Sequence, residues 1–257
     1  MKFTVLIPTF DNGPVIRFAI ESVLAQAADM ELFVVADGAP PETLSLLDAY
    51  GTRDPRLRVF KFGKGERHGE AWRHEALRHA DSDAVCYLSD DDVWFTDHLA
   101  TLGALLAEHD FGHTRQVNVM PDFTINAYAR DLGDPAMRRR YLSEKCNFFG
   151  LSVAGHRLDA YRRLNEGWAP APPDIGTDYH MWRKWVRAEG MRLVSSASIT
   201  ALHMPRIYRR GQSAAACANE TGFWAALFSR PGMIEALRRR IPPDEAFICL
   251  HDIVADA

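Results

Sequence analysis

The chain has 257 residues, 47% of them hydrophobic and 25% charged, with a formal net charge of −4. That composition is ordinary for a folded domain with a full core, and the mild acidity excludes nucleic acid as a partner drawn in by bulk charge. Four scattered cysteines (Cys86, Cys146, Cys217, Cys249), none in a C-x-x-C pair, read as reduced thiols in a cytoplasmic protein.

Met1 leads at once into a strand-like run, without the pattern of a secretory signal. No apolar stretch approaches the ~20 residues that span a bilayer, so no transmembrane segment is expected. Phe3–Ile7 is an apolar run stopped by Pro8, as in a buried parallel strand. Pro14 opens a helix with Val15, Ile16, Ala19, Ile20, Val23 and Leu24 at helical spacing. A strand at Leu32–Ala36 ends in Asp37-Gly38, a helix follows from Pro41 to Tyr50, and a third strand spans Leu57–Phe62. Trp72, Ala76, Leu77 and Ala80 mark a helix face; the strand Ala84–Leu88 then ends in Ser89-Asp90-Asp91-Asp92, with a helix from Asp97 to His109.

This alternation predicts an α/β fold with a parallel sheet covered on both faces. Ligands of such sheets bind at the carboxyl ends of the strands, where Thr9, Asp37 and Asp90–Asp92 all fall. The second half is less regular. Strands are expected near Gln116–Met120, Phe148–Ala154 and Val194–His203, and helices near Pro135–Leu142, Arg157–Asn165, Asp178–Ala188 and Trp224–Arg240. The prolines of 168–174 make that stretch a loop.

Three consecutive aspartates at a buried strand end repel one another, and a hard cation such as Mg²⁺ or Mn²⁺ relieves the repulsion. A solvated acidic turn has the same sequence. Context separates the two. The segments Val5-Leu-Ile-Pro-Thr-Phe10, Val34-Val-Ala-Asp-Gly38, Gly69-Glu-Ala-Trp-Arg73, Tyr87-Leu-Ser-Asp-Asp-Asp-Val-Trp94 and Gly176-Thr-Asp-Tyr-His-Met-Trp182 resemble, in order and spacing, the signature of family 2 glycosyltransferases. These are enzymes of the GT-A fold in the nucleotide-diphospho-sugar transferase superfamily.

The resemblance implies a Rossmann-like, mostly parallel central sheet flanked by helices, with an irregular α+β acceptor side. Residues 1–110 would bind the nucleotide sugar and 111–257 the acceptor, within one GT-A domain. It implies a hexosyl transfer from a nucleoside diphosphate sugar, favouring a UDP-sugar, to a sugar or lipid-linked hydroxyl, with Mn²⁺ or Mg²⁺ and inversion, in polysaccharide synthesis. Thr9 and Asp37 match the residues that hold base and ribose, and Arg73 the arginine that meets the diphosphate or a base-binding aspartate. Asp91 matches the metal-gripping aspartate and Asp90 its neighbour near the ribose. Ser89 and Ala36 replace outer carboxylates of the usual pattern, which keeps open a nucleotide- or glycan-binding protein without catalysis. A sugar nucleotidyltransferase would need a glycine-rich basic loop after the first strand, and Thr9–Gly13 has one glycine and no base.

By the same resemblance Asp178 is the general base that takes the acceptor proton, with Thr177 where a glutamate is commoner. By itself it is also a plain first-turn acid. Trp182, one turn on, floors the acceptor site or fills the core. His203 matches a further metal ligand, and Arg209, with Arg206 and Arg210, would meet the departing diphosphate. The runs Arg138–Arg140 and Arg238–Arg240 offer weak contact with an anionic membrane face, at ~1 kcal/mol per basic residue, or are simply solvated.

Overall fold

The computed structural model describes residues 1–144, 147–242 and 246–255; Cys146, expected as a reduced thiol, lies outside them. Strands β1 (Phe3–Thr9), β2 (Met30–Asp37), β3 (Leu57–Phe62) and β4 (Ala84–Tyr87) alternate with helices α1 (Ile16–Leu24), α2 (Pro41–Arg53) and α3 (Glu70–Leu77). The strands lie in the order β3-β2-β1-β4 and run parallel. Val5, Leu6 and Ile7 are all buried although successive side chains point to opposite faces, so both faces of β1 are covered.

The chain continues through β5 (Val93–Trp94), α4 (His98–Leu106), β6 (Phe111–Val119), β7 (Thr124–Ala127), α5 (Pro135–Ser143), β8 (Ala154–Arg157), α6 (Leu158–Arg162), α7 (Thr177–Arg187) and β9 (Leu193–His203). Helices α8 (Ala214–Phe228) and α9 (Met233–Arg240), strand β10 (Ala246–Cys249) and helix α10 (Leu250–Val254) follow. β8 lies antiparallel between β4 and β6. β7 and β10 extend the sheet, while β9 runs parallel to β6 and pairs with the two residues of β5. The expected α/β architecture, a central sheet flanked by helices with a less regular second half, is the one observed.

The second half departs from the expected elements where local pattern is weakest. Leu151–Val153 of the expected strand 148–154 form a 3₁₀ turn, and β8 begins only at Ala154. The turn is held by Ser152, whose hydroxyl accepts from the Ser89 N–H and donates to Asp92. β6 begins at Phe111, earlier than the expected 116, because its polar-looking start is buried between β8 and β9. The helix expected over 224–240 is two helices. Pro231 has no N–H to continue α8, and Gly232, at φ +83°, opens α9.

Two large apolar clusters form most of the core. The larger joins β1–β4 to Trp182 and Trp185 of α7; the smaller packs α8 and α9 against β5, β7 and β9. A small third one joins Val15 to Cys217 and Ala218 of α8. Among the described residues no helix is long and apolar enough to cross a membrane. Cys86, Cys217 and Cys249 are free thiols.

Candidate active site

Sheet register puts the first polar residues together. Leu6 of β1 pairs with Tyr87 of β4, so Thr9 and Asp90, three residues further on, are level. The Thr9 hydroxyl donates to Asp90 Oδ2 at 2.6 Å, and Asn12 Nδ2 donates to Oδ1 at 2.6 Å. On the other side Thr9 pairs with Ala36, which places Asp37 one step beyond. The Asp37 carboxylate accepts from Lys64 Nζ at 2.6 Å and from the Gly65 N–H at 2.5 Å. Thr9, Asp37, Asp90 and Asp91 line one cleft of about 430 Å³ with Lys64 and Arg206.

The pairing of β5 with β9 brings in a residue more than a hundred positions away. Val93 opposes Leu202, so Asp92 meets His203. The His203 Nδ1 lies 2.9 Å from Asp92 Oδ2, and Asp92 also accepts from the Met204 N–H at 2.9 Å. Asp92, which the sequence did not single out, is thus a buried anchor for the histidine. Burial works against a charged His203, yet the Asp92 carboxylate beside it holds its pKa above the ordinary value. Asp91 has no such partner. Burial and the charges of Asp92 and Asp90 push its pKa up to about 8.

Asp178 stands in the first turn of α7 and is half-buried. It accepts from its neighbour's N–H at Tyr179 (2.8 Å) and from Asn147 Nδ2 (3.0 Å). Burial raises its pKa, opposed by the Tyr179 N–H and the charge of Arg73. The first turns of α3 and α7 are tied together, since the Thr177 hydroxyl donates to buried Glu70 at 2.8 Å. Arg73, one turn along α3, is buried; it stacks over Trp168 at 4.7 Å and donates to the His68 carbonyl.

Asp178, His203, Arg73 and Ser89 line a second cleft of about 640 Å³. Arg73, Ser89 and Arg206 belong to both clefts, so the two adjoin. Two expected residues are not at this junction. Trp182 is fully buried among Tyr87, Phe111, Phe149 and Trp168, so of its two readings the core one holds. Arg209 is buried in an ion pair with Glu220 at 2.5 Å and donates to the Val119 carbonyl. Arg206 is the arginine of that segment which reaches the clefts, donating to Asn12 Oδ1 at 2.6 Å. Asn12 and Lys64 sit near strand ends and carried a readable signal; Asn147, in an irregular loop, carried none. The arginine runs have internal partners: Arg238 pairs with Asp97, Arg140 with Glu144, and Arg138 donates to the Leu132 carbonyl.

The residues present suit a divalent cation. Asp91 is a half-buried carboxylate whose pKa is raised by burial and by the charges of Asp92 and Asp90, against the smaller opposing charges of His203 and Arg206. With Nδ1 of His203 turned to Asp92, its Nε2 is left for a ligand, the arrangement usual for metal-bound histidine. The group of three ligand atoms converging within 4.8 Å among the described residues is elsewhere, at Cys249, His251 and Asp252. A cation at Asp91 and His203 would therefore complete its shell with water and phosphate oxygens.

The family model described as Glycosyl transferase family 2 matches residues 4–163. Over 172 residues the chain is 25% identical to the GalNAc(5)-diNAcBac-PP-undecaprenol beta-1,3-glucosyltransferase of Campylobacter jejuni, covering 64% of this chain and 55% of that one. Over 103 residues it is 36% identical to the succinoglycan biosynthesis protein ExoW of Rhizobium meliloti, covering 38% and 32%. The chain thus spans about half or less of these relatives' length. Among solved structures, S. aureus TarS 1-349 in complex with UDP-GlcNAc matches at TM-score 0.62 and 17% identity, covering 93% of this chain and 72% of that one. The mannosyltransferase PcManGT from Pyrobaculum calidifontis, in complex with GDP-Man and Mn²⁺, matches at TM-score 0.58 and 20% identity, covering 81% and 58%. The likeness to these structures is one of fold.

Proposed function

The chain belongs to glycosyl transferase family 2, and from that premise we propose that it moves a hexosyl group from a nucleoside diphosphate sugar to a hydroxyl acceptor, with a divalent cation and with inversion. The observation that carries this reading is the junction of the two clefts, where His203 feels the charges of Asp92, Asp91 and Asp178 together. The donor belongs in the smaller cleft. Asp37 and the Thr9–Asn12–Asp90 cluster face its nucleoside, and Arg206 its diphosphate. Mn²⁺ or Mg²⁺ held by Asp91 and His203 would offset the charge that grows on the leaving diphosphate.

The acceptor belongs in the larger cleft. Its hydroxyl oxygen attacks the anomeric carbon on the face opposite the diphosphate, the carbon–oxygen bond to phosphate breaks, and the nucleoside diphosphate leaves with the electron pair. Asp178 takes the hydroxyl proton. A carboxylate raised above its ordinary pKa is a stronger base for that task. The name of the Campylobacter relative describes a glycan on an undecaprenol diphosphate, which supports a sugar or lipid-linked acceptor; its use at the inner face of the membrane in polysaccharide synthesis is part of the proposal. A UDP-sugar is the proposed donor.

The test is thermal stability with UDP and GDP, each with Mn²⁺ or with EDTA. A ligand at a hundredfold excess over Kd stabilises by about 2.7 kcal/mol. A metal-dependent shift with one nucleotide, lost in Asp91→Ala, is the expected result. No shift with either would overturn the assignment of the donor cleft.

A further inference from the structure

The larger cleft does not end at Asp178. Across Gln116, Asn118, Tyr128, Phe148 and Phe149 it opens into another cavity of about 340 Å³, reaching Asp131, Ser196 and Ala197. This distal cavity shares no lining residue with the nucleotide cleft. The three spaces therefore follow one another as donor cleft, reaction junction and distal cavity.

The distal cavity arises from an irregularity in the sheet. His113 pairs with Ser195 and Arg115 with Ile199, so β9 spends four residues where β6 spends two. The extra residues bulge at Ser196–Ser198 and leave Ala197 exposed at the rim. Bulges of this kind redirect side chains beside active sites. Each cavity alone lies within the ~300–1,000 Å³ usual for a small-molecule site.

The passage between them has the chemistry of a sugar subsite. Three side-chain amides form a ladder: Gln116 Nε2 donates to Asn118 Oδ1 at 3.1 Å, and Asn118 Nδ2 to Asn126 Oδ1 at 2.6 Å. Gln116 Oε1 also accepts from the Gly150 N–H. These bonds fix which way each amide points, and Gln116 and Asn118, which line the passage, retain donor and acceptor capacity toward it. Tyr128, 41% exposed, and Phe148 supply aromatic surface beside them. Fixed amides next to aromatic faces suit the alternating hydroxyls and C–H surface of a pyranose ring. The charges offer less to a phosphate. Of the charged groups lining the distal cavity, Arg130 donates to the Ala129 carbonyl and is matched by the opposite charge of Asp131. The Arg115 guanidinium is committed to the Pro242 and Tyr128 carbonyls, and burial lowers the pKa of His113 to about 4, which leaves it neutral.

We infer that the acceptor is at least a disaccharide, its second sugar lying on Gln116, Asn118, Tyr128 and Phe148 and reaching into the bulge cavity. This rests on the glycosyltransferase reading and adds the length of the acceptor. The full chain with UDP and Mn²⁺ is titrated with cellobiose, chitobiose and lactose and with the corresponding monosaccharides. At least one disaccharide binds about tenfold tighter than either of its monosaccharides. Ala197→Trp, which fills the cavity from an exposed position, and Gln116→Ala each reduce that advantage to less than about twofold. Equal binding of every disaccharide and its monosaccharides, with the UDP–Mn²⁺ thermal shift intact, overturns the second subsite and leaves the enzyme reading standing. Retention of the advantage in Ala197→Trp overturns it as well. Absence of a metal-dependent shift with both UDP and GDP in the unaltered chain overturns the reading beneath both.

Discussion

At the residue scale, the three consecutive aspartates have three different environments. Asp90 is bonded by Thr9 and Asn12, Asp92 anchors His203, and Asp91 meets the repulsion of both neighbours, offset in part by the charges of His203 and Arg206. The division follows from β5, which begins immediately after Asp92 and turns its carboxylate toward β9. Asp178 differs from all three in lining the larger cleft, the proposed acceptor side. Replacing it with asparagine preserves its shape and removes the base, so Asp178→Asn is expected to lower kcat by about 10²–10⁴-fold. The nucleotide-dependent thermal shift should persist. The base must be ionised, and its folded pKa is raised. The rate of the unaltered enzyme should therefore fall with falling pH from a point above the ordinary carboxylate range. Full transfer by Asp178→Asn would exclude the assignment.

At the element scale, the strand ends of the first half were legible in the sequence. Parallel strands in register put Thr9, Asp37 and Asp90 at one edge, whatever follows them in the chain. The join between α3 and the nucleotide cleft was not. Gly69 opens α3 at φ +70°, and a Cβ there would lie 2.6 Å from Asp37 Cγ. Gly69→Ala should therefore displace the Asp37 carboxylate and strain the backbone, at ~1–3 kcal/mol. We expect a lower melting temperature and, at the same time, a weaker nucleotide-dependent shift. A variant with unaltered nucleotide affinity would show that Asp37 does not touch the nucleoside. The split between α8 and α9 was readable from Pro231-Gly232. The β9 bulge was not, because it exists only as a mismatch with β6.

At the scale of the whole molecule, three buried histidines bind the sheet to its surroundings. His98 stacks on Trp94 at 3.9 Å, His113 on Phe149 at 3.9 Å, and His156 bonds Tyr87 at 2.7 Å. Burial lowers their pKa values to about 3, 4 and 3 from 6.5. The folded chain keeps them neutral, while the unfolded chain protonates them below 6.5. The stability they contribute is thus full above pH 6.5 and is lost as pH falls toward 3–4, at about 1.4 kcal/mol per pH unit for each. Asp90, Asp91 and Asp178, with raised values, oppose this over part of the window. The decisive measurement is a difference. His98→Gln should reduce the pH slope of unfolding free energy between 6.5 and 4 by about one proton, and an unchanged slope would contradict it. The alternation of strand and helix, the sheet edge that carries the polar residues, and the family itself were determined by the sequence alone. Each depends on local periodicity and on residues placed at the ends of neighbouring strands. Only the tertiary structure decided that Trp182 is core, that Arg206 and not Arg209 faces the clefts, and that Asp92 holds His203. Those outcomes turn on which surfaces meet across a hundred residues of chain, and hydrophobic pattern says that a side chain is buried without saying against what.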